Sequence, residues 1–233
     1  MLPDTVHELS ITGQQGDQTL TIHPLAVETP TGLLLLNVGL PGGADDLAAA
    51  LADAGDGFDF GDVRGVVVTH QDGDHAGCLA TVRERVAAAA GAEPTVYAHV
   101  ADAPYVDGRA EPVKTGDDRY PPAAVDVEIV ENVTFRTDAG PMRVVETHGH
   151  TPGHVSLYLP DAKHLLAADA LRVDDEGHLA GPPPAYTPDE ETATESVARL
   201  AELTVESVTC FHGGTVTADD DRIAEVAAGL REE

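Results

Sequence analysis

Four short apolar runs in this sequence each end in histidine or aspartate, and this repeated junction constrains the fold more than any other feature. Each run is about as long as one strand and is rich in Val, Leu or Ala. The junctions lie at residues 66–75, 142–154, 165–169 and 208–212. Strands pack into a core, whereas the loops at their ends carry binding and catalytic groups. The sequence therefore predicts four strands whose ends meet at one rim, where the histidines and aspartates converge as ligands.

The first junction is the densest in chemical groups. His70, Asp72, Asp74 and His75 lie within one short segment, with Gly73 between the two aspartates. Imidazole nitrogens and carboxylate oxygens are ligands of zinc and similar metals, and such a turn can supply two adjacent ions. The alternative is an acidic loop exposed to solvent. That reading is disfavoured because an apolar strand precedes the segment and a predicted helix follows it.

The other junctions carry fewer chemical groups, and these groups indicate a metal site only when they are taken together. His148, His150 and His154 lie close together after the second run. A strand end needs only one of them as a ligand, and the others can donate hydrogen bonds behind it. Asp169 follows the third run and His212 the fourth. Asp169 alone could be a turn former, but together these residues indicate a metal site.

The charge of the chain excludes several classes of partner. Its 233 residues carry 41 acidic and 13 basic side chains, giving a formal net charge of −28, and Lys114 and Lys163 are its lysines. Nucleic acids and anionic membranes repel such a chain. No apolar stretch reaches the about 18 residues of a membrane span. At about 1 M salt the Debye length falls to roughly 3 Å and self-repulsion is screened, so the charge indicates a halophilic protein rather than an ordinary acidic one.

The cysteines and the N-terminal segment indicate a compartment. Cys78 and Cys210 are too few for a disulfide framework, which fits a reducing cytoplasm. A secretory signal has a basic first region, whereas the first basic residue here is Arg64. We therefore expect a cytoplasmic protein.

Apolar patterns divide the strands into two groups, each interleaved with helices. Strands are predicted at residues 19–28, 33–38, 63–68, 95–98, 133–135, 142–147, 155–159, 165–168 and 205–210. Helices are predicted at residues 44–54, 77–90 and 218–230, and a loop with at most a short helix at 100–126. A further helix is expected to begin with Thr187 as its N-cap and Pro188 in its first turn. This alternation predicts two packed sheets with helices outside, in one domain over residues 1–233.

These residues resemble the metallo-β-lactamase-fold superfamily over nearly the whole chain. The motifs that carry the resemblance are His70-x-Asp72-x-Asp74-His75, the segment 147–154 around His150, Asp169, and His212 followed by glycine. The similarity is nearest to the glyoxalase II-like and lactonase-like hydrolases of that superfamily. It implies an α+β fold, an αββα sandwich of two mixed β-sheets with helices on the outer faces.

The resemblance also implies roles for single residues. The implied ligands are His70, Asp72 and His150 for a first metal ion, Asp74, His75 and His212 for a second, and Asp169 between the two. Asp74 and Asp169 are the expected catalytic residues, which orient the attacking water and take up its proton. His154 matches a position that is usually not a ligand, and the role of His148 stays open.

Two residues depart from the family pattern. Asp72 stands where the family usually has histidine, so a third carboxylate faces the ions. Asn37 stands where an aspartate usually braces the metal loop, and a neutral brace could offset the added charge. The resemblance implies two divalent metal ions as cofactors, with zinc as the preferred metal. Iron and manganese are alternatives, because the carboxylate of Asp72 is a harder, anionic ligand.

The implied function is hydrolysis by a binuclear metal centre. Metal ions activate a water that attacks the carbonyl of a small ester, thioester or lactone. Arg172, His178 and Tyr186, in the Pro-rich loop after the bridging aspartate, are candidate substrate-binding residues, although each could equally be a plain surface residue. The sequence lacks the basic cluster that glyoxalase II-like enzymes use for glutathione, so we expect other small-molecule substrates.

Two alternative functions stay open at this point. The same fold also supports mononuclear iron dioxygenases that act on thiols or persulfides. It could instead serve as a catalytically weak ligand-binding or sensor domain, an alternative that Asp72 and Asn37 leave open. A homodimer is also compatible with the sequence.

Overall fold

Two six-stranded sheets pack face to face, and helices cover their outer faces. The computed structural model describes residues 1–15, 18–55, 57–114 and 119–232, so part of the predicted loop at 100–126 lies outside the described residues. The predicted αββα sandwich of mixed sheets is confirmed. Within those ranges, no helix is both long enough and apolar enough to cross a membrane.

The first sheet comes from the N-terminal half of the chain. Its strands, numbered along the chain and given in spatial order, are β1 (Val6–Glu8), β4 (Leu25–Thr29), β5 (Gly32–Leu36), β6 (Val63–Val68), β7 (Thr95–His99) and β8 (Val127–Ile129). Pairing is antiparallel from β1 to β5 and parallel from β5 to β8. The sequence analysis did not predict β1 or β8, which are the short edge strands.

The second sheet comes from the C-terminal half. Its strands in spatial order are β16 (Gly214–Val216), β15 (Ser207–Cys210), β12 (His164–Ala168), β11 (Val155–Leu159), β10 (Gly140–Glu146) and β9 (Thr134–Thr137). Only β12 and β15 pair in parallel; the other neighbours are antiparallel. As a result β6, β10, β12 and β15, which precede the four predicted junctions, all end at the same rim of the sandwich.

Helices and two small hairpins complete the described chain. The helices are α1 (Ala44–Asp53), α2 (Gly73–Ala76), α3 (Leu79–Ala90), α4 (Ala103–Val106), α5 (Glu190–Leu200) and α6 (Asp220–Leu230). The hairpins pair β2 (Ile11–Gln15) with β3 (Gln18–Ile22), and β13 (Arg172–Val173) with β14 (Leu179–Ala180). A single 3₁₀ turn spans Pro184–Tyr186.

Alternation along the strands builds three apolar layers. In β5, Leu33 and Leu35 pack with the residues of α1 and α3, whereas Leu34 and Leu36 lie between the two sheets. In β12, Leu166 belongs to the central layer, and its neighbours pack with α5 and α6. Successive residues of a strand point to opposite faces, and here both faces are covered. The apolar runs are therefore continuous, and each buried leucine contributes about 1.5–3 kcal/mol to stability.

Two predicted elements are divided in the structure. The strand expected at 19–28 is broken at His23 and Pro24 into β3 and β4. The helix expected at 77–90 follows a separate turn of helix, α2, and the chain bends at Gly77 and Cys78 before α3 begins. Gly77 is required at this bend because a Cβ there would lie 2.0 Å from the Gly73 carbonyl oxygen and 2.3 Å from Pro41.

The predicted N-cap of α5 is wrong. Asp189, rather than Thr187, caps this helix, and its carboxylate accepts the Thr192 N–H at 3.0 Å. The Thr187 hydroxyl instead donates to the Pro183 carbonyl at 2.9 Å. An aspartate that directly precedes the first helical residue can reach the free N–H groups of the first turn, whereas a threonine two residues earlier cannot.

Gly77→Ala should destabilise the fold strongly, because the new methyl group would overlap backbone on one side and Pro41 on the other. We expect a loss of at least about 3 kcal/mol in the free energy of unfolding. Gly229→Ala in α6 is the matched control: a Cβ there meets nothing within 4 Å, so it should be neutral or stabilise by up to about 1 kcal/mol. Urea unfolding of both variants measures the difference, and equal midpoints would contradict the account of the bend.

Candidate metal centre

The four strand ends bring their polar side chains to one place. His70 follows β6, His150 follows β10, Asp169 follows β12 and His212 follows β15. Asp169 lies 3.4 Å from both His150 and His212 through its Oδ2 atom. His75, which follows the first sheet's strand β6 in the chain, lies 3.1 Å from the other oxygen of Asp169, so side chains from both sheets share this carboxylate.

The first group of candidate ligands surrounds one side of Asp169. The Nε2 atoms of His70 and His150 lie 3.4 and 3.1 Å from Asp72 Oδ2. The Asp169 Oδ2 atom lies 4.0 Å from His70 Nε2. Ligand atoms bound at about 2.0–2.2 Å to a tetrahedral ion are themselves roughly 3.3–3.6 Å apart. This group, which we call the first site, has nearly that spacing.

The second group lies on the other side of the same carboxylate. Asp74 Oδ2 lies 3.2 Å from His212 Nε2 and 3.8 Å from His75 Nε2. His75 Nε2 also lies 3.1 Å from Asp169 Oδ1. We call this group the second site. Asp169 thus offers an oxygen to each site, as expected of a residue that bridges two ions.

The buried atoms of this cluster fit a cation. His70 Nε2, His75 Nε2 and Asp169 Oδ1 are buried and have no hydrogen-bond partner among the described residues. Leaving a buried polar atom unpaired costs about 1–3 kcal/mol, yet these atoms all point toward the two sites. Nitrogen and carboxylate oxygen are the donor set of zinc and of the harder divalent ions. The residues present therefore suit divalent metal ions.

The charge states suit metal binding too. Burial lowers the pKa of His70 to about 4, so its ring is neutral at pH 7, the form that binds metal. Burial alone would raise the pKa of Asp72, but the contacts with His70 and His150 hold it well below its usual range. Burial would lower the pKa of His212, but Asp169 and Asp74 raise it to about 11, so a metal ion would replace a proton on this ring. The carboxylates of the cluster therefore attract positive charge strongly.

Asn37 braces the metal loop as a neutral residue. Its Oδ1 atom accepts the N–H and the hydroxyl of Thr69, at 2.9 and 3.0 Å. The Thr69 oxygen lies 3.2 Å from His70 Nδ1 and 3.4 Å from His75 Nδ1. Since this hydroxyl gives its only hydrogen to Asn37, it accepts from the two Nδ1–H groups. Both rings then keep the Nε2 lone pair for the sites.

Asp102 joins the two loops that carry the ligands, and the sequence analysis missed it. Its carboxylate accepts from Gln71 N at 2.9 Å, Thr151 Oγ1 at 2.7 Å and Gly153 N at 2.7 Å. A further bond comes from the Gln71 amide at 3.1 Å. Burial raises the pKa of Asp102, and these donors oppose that effect. The loop of His70 and the loop of His150 are thus held at a fixed distance.

His154 and Ala168 fix the bridging aspartate. His154 Nε2 accepts the Asp169 backbone N–H at 3.1 Å, and its Nδ1 atom lies 2.8 Å from the Thr147 hydroxyl. Ala168 has a φ of 48°, and the register between β12 and β15 shifts beside it. A left-handed alanine is rare and strained. It turns the chain so that Asp169 lies at the rim.

The comparison with known proteins identifies the family from these residues. The profile of the Metallo-beta-lactamase superfamily matches residues 23–212. The chain belongs to the metallo-beta-lactamase superfamily. This agrees with the resemblance drawn from the motifs alone.

Other members of the superfamily differ in how much of their length the chain covers. It is 29% identical over 227 residues to the probable metallo-hydrolase YflN of Bacillus subtilis, covering 83% of this chain and 80% of that one. It is 31% identical over 159 residues to the hydroxyacylglutathione hydrolase of Ruegeria pomeroyi, covering 68% of this chain and only 51% of that protein. The structure of a metallo-beta-lactamase family protein from Thermus thermophilus shares the fold, with a TM-score of 0.75 and 21% identity, over 100% of this chain and 80% of that one.

A basic residue that the sequence analysis did not select lies in the first site. Lys114 Nζ is 2.6 Å from Asp72 Oδ2 and 2.8 Å from His150 Nε2, and it donates to the Tyr186 carbonyl at 2.9 Å. The available signal was its rarity, since this strongly acidic chain has one other lysine, Lys163. The third carboxylate of this superfamily member is thus paired with a cation of the chain itself.

His148 is turned away from both sites. Its Nε2 atom lies 3.2 Å from Glu146 Oε2, and His99 Nε2 lies 2.9 Å from the other oxygen of the same carboxylate. These side chains form a third group of possible ligands. The second junction therefore sends His150 to the centre and His148 to a separate polar cluster.

A cavity of about 350 Å³ lies over the centre. The ligands form one wall, and its other wall includes Leu20, Leu171, Arg172 and Tyr186. Two of the predicted substrate-binding residues, Arg172 and Tyr186, therefore line the cavity. His178 does not: it lies in an exposed turn near Asp174 and Glu176.

Asp102→Ala should weaken the fold and loosen the centre, since it leaves buried donors of both loops without a partner. Each such donor costs about 1–3 kcal/mol, so we expect a loss of roughly 3 kcal/mol or more. Asp45→Ala is the control, because Asp45 is 85% exposed and its one ion pair among the described residues is with Arg85 on the surface, an interaction worth at most about 1 kcal/mol. Urea unfolding of the metal-free variants measures both losses. A small and equal loss would show that Asp102 is not a brace.

Proposed function

We propose that this chain is a metal-dependent hydrolase that cleaves small esters, thioesters or lactones with two divalent metal ions, zinc first. The observation that carries the proposal is Asp169, whose two oxygens face two histidine and aspartate groups at the base of one cavity. Iron or manganese is admitted because Asp72 adds a harder oxygen ligand. Membership of the superfamily and the similarity to a probable metallo-hydrolase support hydrolysis.

The bound ions would supply a water of lowered pKa and polarise the substrate carbonyl. Asp74 and Asp169 would orient that water through their carboxylate oxygens, and one of them would take up its proton and pass it to the leaving group. The apolar side chains of Leu20 and Leu171 pack against the acyl portion of the substrate. Arg172, whose buried Nε has no partner among the described residues, binds a polar group of the substrate.

One relative supports part of the proposed substrate class, namely the acyl group, but not glutathione. The hydroxyacylglutathione hydrolase of Ruegeria pomeroyi hydrolyses hydroxyacylglutathione, as its name states. The chain spans about half of that protein's length. Apart from Lys114, Arg172 is the basic residue that lines the cavity. We therefore propose a small acyl substrate rather than a glutathione conjugate.

Hydrolysis should depend on both sites. His75→Ala and His150→Ala should each lower kcat/KM by at least about 100-fold, because even residues behind metal ligands cost 10–100-fold. His178→Ala is the matched control and should keep the full rate, since its side chain lies away from the cavity. The assay is acid release from a panel of lactones, thioesters and esters in a pH-stat, with elemental analysis of each variant.

Two results would contradict this function. Oxygen uptake with a thiol substrate and one bound iron, without hydrolysis, would favour the dioxygenase alternative. Ligand binding in the cavity with no turnover of any carbonyl compound would favour the binding or sensor alternative.

We also infer that the chain works in a saline cytoplasm. A net charge of −28 opposes compaction, and the free, buried Cys78 and Cys210 suit a reducing compartment. Tm should rise between 0.1 M and 1 M KCl and then level off, because the Debye length falls from about 10 to about 3 Å. Calorimetry over this series measures the effect. A Tm that does not change would count against a saline setting.

A further inference from the structure

The contacts of Lys114 make the two metal sites unequal. Its ammonium lies within hydrogen-bond distance of Asp72 Oδ2 and His150 Nε2, which are two of the ligand atoms of the first site. No lysine or arginine among the described residues forms an ion pair with Asp74 or Asp169, the carboxylates of the second site. A lysine therefore lies at the first site, whereas the basic groups in contact with the carboxylates of the second site are its own histidines.

Lys114 and a metal ion compete for the same electron pair. The nitrogen of a neutral imidazole that carries no hydrogen has one lone pair, and an ammonium has donors only. Because an ammonium cannot accept a hydrogen bond, its 2.8 Å contact with His150 Nε2 uses that lone pair. The 3.1 Å contact between His150 Nε2 and Asp72 Oδ2 then joins two acceptors that share the ammonium. The same nitrogen cannot then bind an ion. Asp72 does not create this competition, because a carboxylate has enough lone pairs to bind the ammonium and a metal ion together.

The position of Lys114 is fixed by buried groups. The backbone N–H of Val113 donates to Gln71 Oε1 at 2.7 Å, and Gln71 is 0% exposed and bonded to Asp102. The three hydrogens of the ammonium have three acceptors, namely Asp72, His150 and the Tyr186 carbonyl. Gln71, which lies between His70 and Asp72 in the chain, thus also holds Lys114 at the first site.

The charges point in the same direction. Asp72, Asp74 and Asp169 bring three negative charges to the two sites. One divalent ion together with the Lys114 ammonium neutralises the three carboxylates when the histidines that hold the ion are neutral. A second divalent ion enters a centre that is already neutral, so the electrostatic drive to bind it is smaller.

We propose that Lys114 is an internal competitor for the first site. The first ion binds at Asp74, His75, His212 and Asp169, and a second ion binds only when it displaces the ammonium from His150. This inference rests on the metal centre of the proposed function and adds an order and a difference in affinity to its two ions.

Metal titration of the full chain, after chelation, tests the order. With Zn²⁺ alone, calorimetry should resolve two steps whose dissociation constants differ by about 10-fold or more, since charge-assisted hydrogen bonds must break in the second step. Lys114→Ala should tighten the weaker step by about 10-fold and change the tighter step little. Lys163→Ala is the matched control, because this lysine pairs with an exposed glutamate, Glu206, outside the centre, and it should change neither step.

Further variants assign each binding step to one of the two sites and control for other sources of heat and for misfolding. His150→Ala should remove the weaker step, and His75→Ala the tighter one. Repeating the titrations with His148→Ala removes the third group of histidines and Glu146 as a source of heat. If Lys114→Ala folds poorly, Lys114→Met removes the charge and keeps the length of the side chain.

The outcomes separate this inference from the proposed function. Two ions bound equally tightly, or constants that Lys114→Ala leaves unchanged, would overturn the internal competitor while leaving a metal-dependent hydrolase intact. A chain that binds no ion at any concentration would overturn the proposed function, and the inference with it.

Discussion

The shared carboxylate of Asp169 is the contact on which the rest of the centre depends. It is the atom group at which the two sheets meet, because one sheet brings His70 and His75 and the other brings His150 and His212. A sandwich of two sheets can place ligands on both sides of a rim only if some residue closes the gap between them. The left-handed backbone of Ala168 and the hydrogen bond that the Asp169 N–H donates to His154 hold Asp169 in that position.

Buried charge explains why so much of the surrounding chain is polar yet inaccessible. Ionised groups taken out of water are costly unless they are paired and hydrogen-bonded. Around the centre, Asp102 binds donors from both ligand loops, and Asn37 orients two histidines through Thr69. These residues contact no substrate, but they hold the ligand atoms at separations that a metal ion can span. The free-energy cost of burying these polar groups is offset by the hydrogen bonds that they accept, and a bound cation would offset the charge of the ligands that they position.

The sequence predicted which side chains lie together at the rim because strand ends obey simple geometry. A continuous apolar run followed by His or Asp leaves few places for that residue other than the rim, so the positions of His70, Asp169 and His212 followed from local pattern. Lys114 and Asp102 had no such pattern. Both lie in the irregular segment after β7, where no periodicity says which way a side chain points, and both act through contacts with residues far away along the chain. The position of His178 could not be predicted for the same reason. The loop after Asp169 folds into the small β13–β14 hairpin, and this side chain lies away from the cavity.

The same scarcity of cations has two different consequences in this chain. On the surface, unpaired carboxylates repel each other over distances that dissolved salt can screen. At the centre, the carboxylates are buried and close together, and screening by salt hardly reaches them. There the charge has to be balanced by a group in direct contact, and the chain places one of its two lysines at that point. A carboxylate in place of the usual histidine at residue 72 is therefore not an isolated substitution. In the competition that we propose, it supplies the negative charge that holds Lys114, and Lys114 occupies the lone pair of His150, so this one residue changes the affinity of the whole first site.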